Sequence, residues 1–413
     1  MSKENVLAGL DIGSSRITCL IGERGEGQEL VKVIGGASVP CRGLKGGVVI
    51  NIQETARAIQ DAVEKAEKDS HCEVKELVVG IRGSHLQSFN NRGAFNIART
   101  DKEITQEDVE GVIANAKAVP LSSDREILHV MPQSFTLDRQ RGVPDPVGME
   151  GSLLEVEVHI VTASSAHLNN LTKAVAQAGF EAKETVYGLL ASGDVLVTPE
   201  EKELGALFID IGGQSVSIGV YSEGSIRYSK ELPVGSDFIT RDLAVGLRTS
   251  LATAERLKVQ HGFAHPSFLG DDEELEFNGV DGRTPGKIKV SAVMGIVLPR
   301  VEEILTLIEE DIRNSPYADV VGPGGVVLAG GGALMRGMND AANQILGIPA
   351  RVAVPHPDMF AVDSTWGSPA YSTALGLLSN SLPFSFASPN RRVMPGKKPA
   401  WLKSMTSLFQ ELF

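Results

Sequence analysis

Apolar and polar positions alternate along two stretches of the chain in almost the same text. Residues 7–23 read LAGLDIGSSRITCLIGE, and residues 206–223 read ALFIDIGGQSVSIGVYSE. In each, an apolar, β-rich run ends in Asp-Ile-Gly, turns through Gly and Ser, and resumes with alternating apolar residues, the pattern of a β-hairpin. The repetition predicts two halves that open on the same hairpin. Beyond the first hairpin, apolar residues at 56, 59, 62, 63 and 66 predict a helix over 52–68, and the run 77–81 predicts a buried strand. From about 82 to 160 the texture becomes that of an α+β insert. It has strands over 87–97, 126–137 and 153–162, and a helix announced by Thr105 ahead of Glu107 and Asp108. A helix over 166–178, a strand over 180–185 and a small-residue helix over 187–197 lead to the second hairpin. Helices over 235–261, an acidic, glycine-rich loop over 270–286, an amphipathic helix over 291–313 and a strand over 326–329 follow. Four prolines between 383 and 399 mark a linker.

Composition narrows the picture. A chain of 413 residues predicts two or more domains with ample core. Apolar residues at 42% and charged residues at 22% exclude bulk disorder and coiled coil. With 39 basic against 52 acidic residues the net charge is −13, which repels a phosphate backbone and argues against nucleic-acid binding. Cys19, Cys41 and Cys72 lie far apart without metal or disulfide spacing, which fits a reducing cytoplasm. The polar start at 1–5 is unlike a secretory signal, and no run of 18 apolar residues predicts a membrane span.

The hairpins carry the candidate chemistry. A tight turn at Gly13 or Gly212 presents backbone N–H groups to phosphate oxygens, and an aspartate at the strand end can hold a hydrated magnesium ion. Either turn alone also reads as a plain surface hairpin. Two of them facing one another would make a clamp, with Asp11 and Asp210 converging on one metal, Mg held through water. The cluster Gly330-Gly331-Gly332-Ala333, after a strand, allows close backbone approach to a flat ligand such as an adenine-ribose.

These residues resemble the actin-like ATPase superfamily, whose five motifs find counterparts here in order. They are the two phosphate motifs (10–17 and 208–220), the two connecting motifs (187–197 and 365–378) and the adenosine motif (327–338). The resemblance implies ATP with Mg as cofactor. It places Ser14, Ser15 and Arg16 on one side of the phosphates and Gly212, Gly213 and Gln214 on the other, with Gly331, Gly332 and Met335 bordering the nucleoside. Glu255 and Lys258, one helical turn apart, match the helix that contacts ribose and base; the plainer reading is a solvated helix pair. The run 212–217 reads Gly-Gly-Gln-Ser-Val-Ser where the family carries Gly-Gly-Gly-Thr-Thr-Asp, so the expectation is at most a weak ATPase. Glu184 is the candidate to orient water, with a core-edge carboxylate as the alternative.

The insert narrows the resemblance to the bacterial cell-division FtsA family. Residues 127–135 (ILHVMPQSF), 145–151 (DPVGMEG) and 43–47 (GLKGG) with Ile50 resemble its segments, and the likeness runs from 8 to 378. It implies an α/β, actin-like (ribonuclease H-like) two-domain fold with an α+β insert, subdomain 1C, and a C-terminal amphipathic membrane helix. Expected boundaries are 1–82 and 163–196 for subdomain 1A, 83–162 for 1C, 197–228 and 305–382 for 2A, 229–304 for 2B, 383–397 for the linker and 398–413 for the helix. The implied role is a filament former that joins the tubulin-like protein FtsZ to the inner face of the cytoplasmic membrane at midcell. The FtsZ C-terminal peptide would dock on subdomain 2B beside Arg300 and Glu303, and later division proteins would bind subdomain 1C. Alternatives are an actin-like pilus-assembly ATPase, a sugar-kinase-like phosphotransferase and an Hsp70-like chaperone.

The tail supports membrane attachment independently. Trp401, Leu402, Met405, Leu408, Phe409, Leu412 and Phe413 share one helical face, with Lys403 among the polar residues opposite. Such a helix of roughly 22 Å is too short to cross a hydrocarbon core of about 30 Å, so it predicts an interfacial segment. Arg391, Arg392, Lys397, Lys398 and Lys403 against Glu411 make the tail basic within an acidic chain, which favours anionic lipid. Docking of the helix on the body or in a partner groove is the other reading.

Overall fold

The computed structural model describes residues 6–25 and 30–379. The linker and tail expectations, with Trp401, Leu402, Lys403, Met405, Leu408, Phe409, Leu412 and Phe413, lie outside the described residues. Two mixed sheets carry the repeated hairpins. In the first, Val6–Ile12 pairs antiparallel with Arg16–Arg24, which pairs antiparallel with Val31–Pro40. On the other side of Val6–Ile12 come the parallel strands Glu76–Ile81 and Glu181–Tyr187. The second sheet repeats this plan. Ala206–Ile211, Val216–Ser222 and Ser225–Leu232 form an antiparallel meander, and Gly325–Ala329 then Ala350–Val352 add in parallel beside Ala206–Ile211. The repeat is therefore deeper than the sequence pattern predicts, since each meander has a third strand. Val31–Pro40 hides its strand character behind Gly35 and Gly36. A Cβ at Gly35 would lie 2.5 Å from the Ser70 nitrogen, so the missing side chain lets the end of the helix Ile52–Ser70 lie on the sheet.

Burial explains the strands. Ala206–Ile211 is buried at every position and Arg16–Arg24 at most of them, as expected for strands covered on both faces. Helix Ile52–Ser70 starts at Asn51, whose side chain caps the Glu54 N–H, and turns Ile59, Ala62, Val63 and Ala66 inward. Helices Gly188–Leu196 and Ser372–Leu378 join the halves and cross at glycine: a Cβ at Gly376 would stand 2.0 Å from the Ala191 carbonyl oxygen. The stretch 270–286, expected as a loop, instead holds part of a hairpin, Glu274–Asn278 against Pro285–Lys289. Leu275 and Phe277 point into the core while acidic side chains face out, an alternation that the density of acids and glycines obscures.

The insert has its own antiparallel sheet, in the order Gln87–Asn96, Leu153–Ser164, Arg125–Leu137, Gln140–Val143. Helix Gln106–Lys117 packs on it behind the capping box of Thr105 and Asp108. The sheet docks on Ser225–Leu232 through polar groups. Asn90 donates to the Arg227 carbonyl at 3.0 Å, Ser88 to the Ser229 carbonyl at 2.6 Å and Gln133 to the Ile226 carbonyl at 2.8 Å. His159 bridges Asn90 Oδ1 (2.6 Å) and Ser229 Oγ (2.9 Å) and is buried.

Candidate functional site

The two turns close identically. The Gly13 N–H donates to the Arg16 carbonyl and the Gly212 N–H to the Ser215 carbonyl, both at 3.0 Å. Asp11 lies opposite Thr18 and Asp210 opposite Ser217, one residue pair from each turn. The turns also meet. A Cβ at Gly213 would stand 2.1 Å from Ser15 Oγ, and Ser15 donates to Asp237 Oδ2 at 2.7 Å. Helix Ser236–Leu247 begins on the second turn, where the Ser236 and Asp237 N–H groups donate to the Gly212 and Gly213 carbonyls at 2.9 and 2.8 Å. A short ribbon, Leu44–Lys45 with Val48–Val49, ties both turns together. Its Gly46 N–H donates to Gln214 Oε1 at 3.0 Å and its Gly47 N–H to Ser14 Oγ at 2.8 Å. Ser14, Ser15, Gly213 and Gln214 are thus gathered in one place. Arg16 is exposed and donates to the hydroxyl and carbonyl of Ser38 on the neighbouring strand.

The third glycine cluster closes on the second hairpin. Gly330 has φ +80°, and a Cβ there would stand 2.4 Å from Asp210 Oδ1; one at Gly332 would stand 2.3 Å from Ile211 Cγ2. Only glycine permits this approach. A Cβ at Gly331 would meet nothing within 4 Å, and the 3-10 turn Gly331–Leu334 leads to the half-buried Met335. Lys258 is buried, pairs with Glu255 at 2.8 Å and donates to the Ser236 carbonyl at 3.3 Å. The solvated-pair reading therefore fails for Lys258, which supports the start of the helix that rests on the turn. Glu255 keeps a half-exposed side chain and accepts from Thr240.

Two expectations meet a different arrangement. Glu184 lies on the edge strand, level with Val78 and so with Gly9 rather than Asp11, two strands from the first hairpin. It is not among the groups at the turns. Asp11 and Asp210 are near enough to influence one another's charge, but a guanidinium holds Asp210. Arg82, at the carboxyl end of Glu76–Ile81, lies 2.5 Å from Asp210 Oδ2 and donates to the Thr373 hydroxyl. Burial and the neighbouring Asp210 lift the Asp11 carboxyl to about 6, while Arg82 pulls it down. These donors, as placed, do not fit a magnesium ion shared by both carboxylates. Asp210 is held by Arg82, and Asp11 keeps a buried Oδ1 without a hydrogen-bond partner. Among the described residues, no group of three His, Cys, Asp or Glu could hold a metal. The sequence carried a signal for Arg82 that motif reading passes over: a charged residue at the carboxyl end of a buried parallel strand, where α/β sheets bind ligands.

Behind Arg82 the network continues into the insert. Glu231, whose carboxyl burial raises, accepts from the Tyr187 hydroxyl at 2.9 Å and the Gly83 N–H at 3.2 Å. The Tyr187 N–H donates to His129 Nε2 of the insert at 2.9 Å.

Comparison with known proteins decides the family. The family model "Cell division protein FtsA" matches residues 207–376, and that of the "SHS2 domain inserted in FTSA" matches 83–162, the insert. The FtsA of Pseudomonas aeruginosa is 36% identical over 378 residues, covering 91% of this chain and 89% of its own. That of Escherichia coli K12 is 32% identical over 381 residues, covering 90% and 89%. The chain belongs to the FtsA family of cell division proteins. Its fold is actin-like. The PilM–PilN type IV pilus biogenesis complex superposes with a TM-score of 0.66 at 18% identity, covering 90% of this chain and 97% of that one. MreB5 of Spiroplasma citri bound to ADP gives 0.54 at 13%, covering 91% and 95%.

Within this FtsA-family chain, Arg300 and Glu303 lie on helix Val290–Arg313 and are already engaged. Arg300 forks onto Asp242 at 2.6 and 3.1 Å and pairs with Glu303 at 2.5 Å. Among the described residues, no helix is long and apolar enough to cross a membrane.

Proposed function

We propose that this chain is an ATP-binding, actin-like division protein that holds the nucleotide between its two hairpin turns and assembles into filaments. In this reading it joins FtsZ to the membrane, and its C-terminal residues 398–413 attach it to anionic lipid on the inner face at midcell. The observation that carries the reading is the meeting of the turns. Ser15 stands against Gly213 and Asp237, with Ser14 and Gln214 alongside, so the two turns proposed to receive phosphate oxygens meet at one place. Gly331, where a Cβ would meet nothing within 4 Å, and Met335 are the proposed border of the nucleoside. The structure of MreB5 with ADP supports the choice of an adenine nucleotide. Hydrolysis is expected to be slow, because Ser217 stands where an acid would be needed and Glu184 lies off the site.

Arg300 and Glu303 would contribute to an FtsZ-binding face only through the surface they present while paired with each other. The insert is the proposed site for later division proteins. Electron microscopy of the full chain on anionic lipid monolayers tests the reading: ordered filaments with ATP are expected, and lipid-bound protein that stays unassembled with ATP counts against it. Pilus assembly is not favoured, since identity to division proteins is 32–36% over about 90% of the chain and only 18% to the pilus protein.

A further inference from the structure

Two carboxylates on the floor of the cleft compete for one positive charge. Asp11 and Asp210 approach from the two sheets, and Arg82 reaches Asp210 from the end of the strand Glu76–Ile81. Asp210 is 2% exposed and the Arg82 side chain 12%, so neither finds water easily. Arginine cannot give up its proton to relieve the crowding. Its Nη2 is held by two acceptors, Asp210 Oδ2 and the Thr373 hydroxyl. The chain around it is equally fixed: a Cβ at Gly47 would stand 2.0 Å from the Arg82 carbonyl oxygen, and one at Gly188 2.8 Å from Arg82 Nε.

We propose that Arg82 is a positioning residue for the nucleotide site and the permanent counter-cation of Asp210, so that Asp210 is not open to a divalent cation entering with nucleotide. A second cation beside Asp210 would repel the guanidinium at close range in a poorly solvated place. The two positive charges are thus alternatives at Asp210. Binding of adenine nucleotide should then gain less from magnesium than a pair of free carboxylates would provide. This rests on the nucleotide reading above.

The test is the ratio of ADP dissociation constants without and with magnesium, measured by calorimetry on the full chain in EDTA and in excess MgCl2. Arg82→Gln frees Asp210 for the metal and is expected to raise that ratio by about tenfold or more, while Arg82→Lys, which keeps the charge, stays within about threefold of wild type. An unchanged or smaller ratio in Arg82→Gln overturns the proposal. Should Arg82→Gln fail to fold, Asp210→Asn decides. Its ratio stays within about threefold of wild type if Asp210 serves Arg82, and drops about tenfold if Asp210 serves the metal, which overturns the proposal. Wild type that binds no ADP under either condition removes the nucleotide reading itself, and this inference with it.

Discussion

A methyl group at Gly330 would stand 2.4 Å from Asp210 Oδ1, on a backbone with φ +80° and ψ 170° that side chains do not tolerate. Gly330→Ala is therefore expected to cost about 1–3 kcal/mol of stability from the backbone alone and to push the third glycine cluster off the second hairpin. Thermal melting and nucleotide titration check both effects; a variant that melts and binds like wild type would show that the close approach is unimportant. His159 is the second residue with a sharp expectation. Burial lowers it to about 3, and lowers His129 to about 4, from an ordinary 6.5. Both stay neutral in the folded chain while the unfolded chain takes up protons near pH 6.5, so stability falls as pH drops from about 6.5 toward 4. His159→Gln, which can keep the bonds to Asn90 and Ser229, should melt with a shallower pH dependence over that interval. A slope as steep as that of wild type would contradict it.

At the scale of elements, the hairpins were legible because alternation, an Asp-Ile-Gly end and a Gly/Ser turn all point the same way, and because they occur twice. The helices 52–68 and 291–313 were legible from the period of their apolar residues. The third strands of the meanders were not. Val31–Pro40 carries Gly35, where the end of the helix Ile52–Ser70 comes close, and Gly36, where Leu20 and Trp366 do. Ser225–Leu232 carries buried polar side chains because neighbouring elements reach them: Ser229 meets His159 of the insert, and Glu231 accepts from the Gly83 N–H and the Tyr187 hydroxyl. Arg82 escaped for a related reason: its role depends on two aspartates distant in sequence and on Thr373, and no local pattern brings them together. The gathering of Ser14, Ser15 and Gln214 was legible as a family pattern. That their partners are Gly47, Asp237 and Gly46 could come only from packing.

For the molecule as a whole, the account joins a cleft that takes nucleotide to a tail that takes lipid, with filaments multiplying a weak single attachment. Deleting 398–413 should abolish sedimentation with anionic liposomes while leaving the melting temperature and nucleotide binding unchanged; undiminished sedimentation would remove the membrane part of the account and leave the cleft intact. The cleft is the central claim, and titration of ATP into the full chain beside the variant Gly213→Val tests it most directly, because the added side chain would fill the point where Ser15 and Asp237 meet the second turn. The account predicts saturable binding to wild type and a loss of about tenfold or more in a variant that still shows the wild-type circular dichroism spectrum. Wild type that releases no heat with ATP, or a folded variant that binds as tightly, would contradict it.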